Sequence, residues 1–255
     1  YRAAVSFIDR EEPRVLLALM LYPTILFWSS ILGKDPVVLF GIGLYAYGVA
    51  RWYRTNNLRY IFLILLGVLE TSYVRVWLAA ILLAPMGVFV FQKTWRLISK
   101  LFFIGVIAAA FFMAMAKFQD RFSLDTQDDL LSTATVISQS WAFGGSGQTL
   151  ESPFSSPAKM LAFLPMGMFT AIFRPLPGEI MAPFPFLASI ENFLLIVLCL
   201  QAMLRTRLRE LASTPVLWAL TLIITWSSVY GFASYQNLGT ASRFKLQIMP
   251  VFLCL

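Results

Sequence analysis

Residues 173–179 read Phe-Arg-Pro-Leu-Pro-Gly-Glu, a run that sets one cation and one carboxylate on a backbone unfit for a regular helix. Two prolines and a glycine favour a fixed loop instead. Arg174 offers paired N–H donors that suit phosphate or carboxylate oxygens. Glu179 offers a base, or a positioning carboxylate, for a hydroxyl group. The plainer reading is a solvent-exposed connection, but apolar segments on both sides draw the loop towards a membrane interface.

Four other places carry polar groups where apolar sequence surrounds them. Trp28-Ser29-Ser30-Ile31-Leu32-Gly33-Lys34-Asp35-Pro36 is a tight connection that presents Lys34 and Asp35. Asp35 is a second candidate carboxylate, and its structural alternative is a cap facing the next helix N-terminus. Glu70-Thr71-Ser72-Tyr73-Val74-Arg75 interrupts an apolar stretch. Glu70 and Arg75 there form either a self-neutralising pair or a hydrated site below the lipid surface. Asn237-Leu238-Gly239-Thr240-Ala241-Ser242-Arg243-Phe244-Lys245 brings two cations to the start of the last apolar run. Glu191, next to Asn192 inside an apolar helix, either pairs with an arginine or stays protonated, a supporting role.

Several chemistries are excluded. The chain has no His, which removes His-ligated metals, His-ligated haem and a His general base. Cys199 and Cys254 lie in apolar runs and read as small core hydrophobes. Asp125, Asp128 and Asp129 lack the spacing and turn glycine of a calcium loop. Gly144-Gly145-Ser146-Gly147 is followed by no Lys-Ser/Thr and matches no dinucleotide fingerprint, so a flexible linker is its simplest reading. No metal site is expected, and the sequence names no cofactor.

The elements that must position these residues follow from composition. Of 255 residues, 59% are apolar and 13% charged, against roughly 25% charged in a soluble domain. Mean hydropathy is +0.75. Apolar residues fill whole stretches rather than one helix face, and the alternating dyads of an outer-membrane barrel are missing. Crossing a ~30 Å hydrocarbon core takes ~20 residues. On that measure residues 15–32, 97–116, 183–204 and 215–234 are spans, 36–50 is a short one, and another begins near 246. Residues 60–69 and 76–91 read as a hairpin turning at Glu70–Arg75, and 158–173 as a re-entrant or interfacial segment. The expected fold is all-α: a polytopic transmembrane helical bundle with short hairpin and re-entrant segments, one integral membrane domain over 1–255. Because the chain opens at Tyr1 without Met and stops inside an apolar run, a segment of a longer protein is expected.

Orientation follows the positive-inside rule. Three basic clusters, Arg51/Arg54/Arg59, Lys93/Arg96/Lys100 and Arg205/Arg207/Arg209, go to the cytoplasm. That side then takes twelve Lys and Arg with four acids, while the outer side takes eight of each and Glu191 remains within a helix. The +7 excess is cytoplasmic, so a pI near 9.6 reports membrane orientation and gives no support to nucleic-acid binding. The loop 117–157 falls outside. Leu130, Ala134, Ile137 and Trp141 space an amphipathic interfacial helix within it, followed by a Gly/Ser/Pro-rich, lid-like run.

Taken together, the outer Phe-Trp-Ser-Ser-x-x-x-Lys-Asp connection, the hairpin with Arg at its turn, the Phe-Arg-Pro-x-Pro-Gly-Glu loop and the Asn-x-Gly-x-x-x-Arg run resemble bacterial polytopic glycan-assembly proteins. The resemblance runs from Ser29 to Lys245 and is to the O-antigen polymerase-like and GT-C-like integral membrane glycosyltransferases. It implies polyprenyl-linked sugar substrates at the outer face of the inner membrane. The chain departs from that group in having no His and no acidic first outer loop of GT-C type. For a lipid-linked diphosphate the available cations are Lys34, Arg75, Arg174, Arg243 and Lys245, and the available carboxylates are Glu179 and Asp35. Expected partners are membrane lipid, a lipid-linked glycan and further protein subunits, with no nucleic acid. A non-catalytic membrane subunit is the competing expectation. A transporter is disfavoured, because the cytoplasmic halves of the helices are almost purely apolar.

Overall fold

A computed structural model of the chain describes residues 1–92, 156–180 and 183–255. Between 93 and 155 it describes Leu101, Ile104, Gly105, Ala108, Ala109, Phe112, Ala116, Thr135, Val136, Gln139, Ser140, Ala142, Ser146–Gln148 and Phe154. The regular structure among these residues is helical, and the only extended pairing is an isolated bridge between Gly147 and Asn237. The all-α expectation therefore holds. The expected span 97–116 lies largely outside the described residues. So do Lys93, Arg96 and Lys100, the aspartates Asp125, Asp128 and Asp129, the set Leu130, Ala134, Ile137 and Trp141, and Gly144 and Gly145.

In chain order the helices are α1 (Arg2–Ile8), α2 (Pro13–Leu21), α3 (Pro23–Ser30), α4 (Lys34–Thr55), α5 (Arg59–Val74), α6 (Trp77–Leu83) and α7 (Met86–Gln92). After the largely undescribed stretch come α8 (Pro157–Phe173), α9 (Pro183–Arg205), α10 (Leu208–Leu211), α11 (Thr214–Ser234), α12 (Leu238–Phe244) and α13 (Met249–Phe252). Among the described residues two are long and apolar enough to cross a membrane: Phe186–Arg205 within α9, and α11. The α2–α3 pair passes the same test only as a bent unit, with 59° between its halves. Its bend sits at Pro23, which has no N–H to continue the helix and crowds the preceding turn.

Several expected boundaries are corrected. The short span 36–50 is a 22-residue helix, α4, because Arg51, Trp52 and Arg54 continue the turn until Asn56 takes a left-handed conformation at φ 51°. The turn placed at Glu70–Arg75 is helical through Val74, since Glu70, Thr71 and Ser72 extend α5 and only Arg75 leaves it at φ −141°. The apolar stretch 76–91 is two helices, broken before Pro85. Segment 158–173, expected to be re-entrant or interfacial, forms one short apolar helix that runs on past Pro165, which leaves that expectation standing. The run from 246 begins as a 3-10 turn and the four-residue α13, with Pro250 in its first turn.

The chain divides into two compact units. The first comprises Tyr1–Arg121, Leu208–Ile223 and Leu246–Leu255. At its centre α4 and α5 pack antiparallel, joined by the short link at Asn56–Leu58. Val38, Ile42, Tyr45, Val49 and Trp52 of α4, spaced four and three apart, are each no more than 4% exposed. Glycines let the two backbones close up: a Cβ on Gly67 would lie 2.5 Å from the Gly41 carbonyl oxygen. Phe62, Leu65, Leu66, Leu69 and Tyr73 on the other side of α5 are exposed. A helix apolar on both faces fits a lipid-facing surface, because water would favour polar groups on the outer one. Tyr45 ties three elements, donating from its hydroxyl to Leu82 O at 2.5 Å and accepting from Trp218 Nε1 at 3.1 Å.

The second unit comprises Phe122–Arg207 and Ile224–Lys245. Ser156 caps α8 by accepting from the Lys159 N–H at 3.2 Å, and Pro157 occupies the first turn. A Cβ on Gly231 would lie 2.5 Å from the carbonyl carbon of Gly167, so α8 and α11 meet backbone to backbone. Phe163, Phe232, Tyr235 and Phe154 fill the adjoining space with ring contacts at 5.1–6.4 Å.

Candidate functional site

The Arg174 loop is built by its own sequence. At the end of α8 the Arg174 N–H still bonds to Thr170 O, after which Pro175 stops the helix. Leu176–Glu179 is a turn closed by Glu179 N–H to Leu176 O at 3.1 Å, with Pro177 second and Gly178 third at φ 94°. That is type II geometry, in which proline presets the second position and glycine accepts the positive φ of the third. The turn aims Glu179 back along the chain. Its Oε1 accepts from Arg174 Nε at 2.7 Å and its Oε2 from the Leu176 N–H at 2.7 Å. Arg174 Nη2 donates to Gln148 Oε1 at 3.2 Å. The side chains of Arg174 and Glu179 keep 12% and 26% exposure.

Behind this loop lies a buried polar cluster. Lys245, fully buried, donates from Nζ to Arg174 O at 2.9 Å and to Asn192 Oδ1 at 2.6 Å. Asn192, 1% exposed on α9, donates from Nδ2 to Pro175 O at 2.7 Å. The amide orientation follows from these partners, since Lys245 is only a donor and the Pro175 carbonyl only an acceptor. Glu191, also buried, adds a carboxylate whose field favours the charged amine; burial outweighs it and pushes Lys245 down to about 7.

The Asn237–Lys245 run is explained locally as well. Asn237 caps α12, its Oδ1 accepting from the Thr240 N–H and from Ser146 Oγ, both at 3.0 Å. Gly239 is needed because a Cβ there would stand 2.5 Å from Ser146 Oγ. Backbone bonds from Gln148 N–H to Gln236 O and from Leu238 N–H to Ser146 O hold this run beside residues 146–148. Arg243 is exposed on α12.

The remaining candidates are in the first unit. Asp35, 5% exposed in the first turn of α4, pairs with Arg75 Nη2 at 3.4 Å. Lys34 beside it is exposed. Glu70 turns its Oε2 against Gly41, where a Cβ would collide with it. A cavity of about 690 Å³ in this unit is lined mainly by apolar groups such as Leu39, Ile42, Ala46, Val216 and Trp218 and includes none of the candidate residues.

The structure thus brings together Arg174, Glu179, Lys245 and Asn192, and separately Asp35 and Arg75. It places Lys245 inside, where the sequence reading set a substrate-facing cation. Gln148 and Ser146 were not anticipated: they sit in a Gly/Ser-rich run whose composition carries no sign that one amide will meet an arginine 26 residues on. Among the described residues no three His, Cys, Asp or Glu side chains gather as a metal site would require. No family model matches the chain, and no curated protein or solved structure is significantly similar to it.

Proposed function

We propose that the chain is a polytopic membrane glycosyltransferase or polymerase that takes sugars from polyprenyl-diphosphate carriers at the extracytoplasmic face of a bacterial inner membrane. The observation that carries this reading is the Lys245–Arg174 contact. It joins the Phe-Arg-Pro-x-Pro-Gly-Glu loop to a lysine two residues past the Asn-x-Gly-x-x-x-Arg run, across 71 residues of sequence and next to the apolar helix α9. Two of the four features behind the resemblance drawn from the sequence are neighbours here, and the other two, around Asp35 and Arg75, belong to the first unit.

The chemistry is an exchange of partners at Arg174. A diphosphate competes with Glu179 for the guanidinium: the carboxylate takes one guanidinium N–H through Oε1 and spends Oε2 on the Leu176 amide, whereas a diphosphate offers paired oxygens to the fork. The displaced carboxylate is then free to take the proton of an acceptor hydroxyl. The hydroxyl oxygen bonds to the anomeric carbon, the carbon–oxygen bond to phosphate breaks, and the polyprenyl diphosphate leaves with its developing charge held by Arg174 and Arg243. Asp35 and Arg75 serve the first unit as an internal ion pair.

One observation favours a second reading, a non-catalytic membrane subunit. Arg75 and Arg174 each have a carboxylate against them, as structural ion pairs do. A single experiment separates the two. The protein is reconstituted in liposomes with a polyprenyl-diphosphate-linked oligosaccharide, and chain length is read on gels. Arg174→Ala abolishes elongation while insertion and folding stay normal. An unchanged chain-length distribution in that variant rejects the enzyme and leaves the subunit.

A further inference from the structure

We propose that Lys245 and Asn192 form a buried clamp that orients the Arg174 guanidinium, so that Lys245 is a positioning residue of the anion site and not one of its ligands. The proposal rests on reading the Arg174 loop as a diphosphate site, and it assigns a role to two residues that never reach the diphosphate.

Lys245 has no exposed surface, so its amine has no path to a phosphate oxygen in this arrangement. Burying an ammonium group is costly unless its donors are used. An apolar side chain of similar length would fill the same space without that cost. What only the amine does is hold two oxygen acceptors at once, Arg174 O and Asn192 Oδ1. Asn192 completes the ring through the next carbonyl, that of Pro175. Two successive carbonyls are thereby fixed, and with them the plane of the peptide that follows Arg174.

The direction of the arginine side chain follows. Its N–H is already tied to α8 through Thr170 O and its C=O to Lys245, so the residue is fixed on both sides of its Cα. The guanidinium then meets Glu179 and Gln148 while keeping some exposure. A cation held in place before its ligand arrives stabilises developing charge without reorganising.

Lys245→Met and Asn192→Leu, alone and combined, test the clamp in the full-length protein, with hydrogen exchange at the Leu176 amide and affinity for farnesyl diphosphate in detergent as readouts. That amide is bonded to Glu179 Oε2 and reports on loop order independently of any activity. Each single variant exchanges about tenfold faster there, the effect of losing one or two interior hydrogen bonds. Each also binds the probe more weakly by a similar factor, and the double variant is no worse than either single, as expected of two parts of one device. Lys245→Gln, which retains a donor and is milder for folding, falls between Lys245→Met and the parent. The clamp is overturned if Lys245→Met weakens binding while Leu176 exchange stays at the parent rate, the result for a direct ligand, or if neither variant alters exchange. If the parent fails to bind farnesyl diphosphate but exchange responds as stated, the clamp stands and the diphosphate reading falls.

Discussion

The Lys245 amine has an environment that makes a prediction of its own. The chain contains no His, so few of its groups change charge near neutral pH. Burial lowers the amine from 10.5 to about 7 against the opposing field of Glu191 on α9. Above that pH the folded amine is neutral while the unfolded chain still holds its proton, so unfolding takes up protons and stability rises with pH. The thermal midpoint in detergent should climb between about pH 7 and about pH 8.5, below the ordinary thiol range. Lys245→Met should flatten that climb; an equal slope in the variant would show that the amine is not its source. Arg174 and Glu179 behave differently, since each is the other's counter-ion and each keeps some exposure. In such a partly buried pair the attraction roughly offsets the cost of desolvating the two charges, so an anion that fits the guanidinium better can replace the carboxylate.

At the level of elements, close approach between helices does what large apolar side chains do elsewhere. The α4–α5 hairpin and the α8–α11 crossing both turn on glycines whose Cβ atoms would collide with the opposite backbone. Gly67→Val should therefore force α4 and α5 apart and cost about 1–3 kcal/mol, the usual range for overpacking. A wild-type melting temperature in that variant would mean the hairpin can shift without loss. Tyr45→Phe removes the hydroxyl that bonds Leu82 O and Trp218 Nε1, leaving two buried polar groups unmatched at a cost of about 1–3 kcal/mol. Helix ends also obey local chemistry: Ser156 and Asn237 cap the starts of α8 and α12, and Asn56 ends α4 in the left-handed region. Each of those caps can be read from residue type. The breaks at Pro23 and Pro85 can be read too, although the apolar runs across them conceal the bends.

For the whole molecule, the proposed orientation puts the Arg174 loop outside and the Arg205–Arg209 loop inside, on opposite ends of α9. A membrane-impermeant maleimide applied to intact cells should label Pro177→Cys and spare Arg207→Cys, in a background with Cys199 and Cys254 replaced by Ser. The reverse pattern would invert the topology and remove the lipid-linked substrate from reach of the loop. By itself the sequence determined the helical class, the apolar stretches that become α9 and α11, and the polar residues that stand out against them. Those follow from composition and from the spacing of apolar groups, which are local properties of the chain. Only tertiary structure decided which polar residues meet. Arg174, Asn192 and Lys245 are spread over more than seventy positions, and Asp35 and Arg75 over forty. Whether a cation faces water or a carbonyl depends on what folds over it: Lys34 and Lys245 look alike in sequence, yet one is exposed and the other is sealed inside. Burial and pairing are properties of contacts distant in the chain, and no reading of neighbours along it contains them.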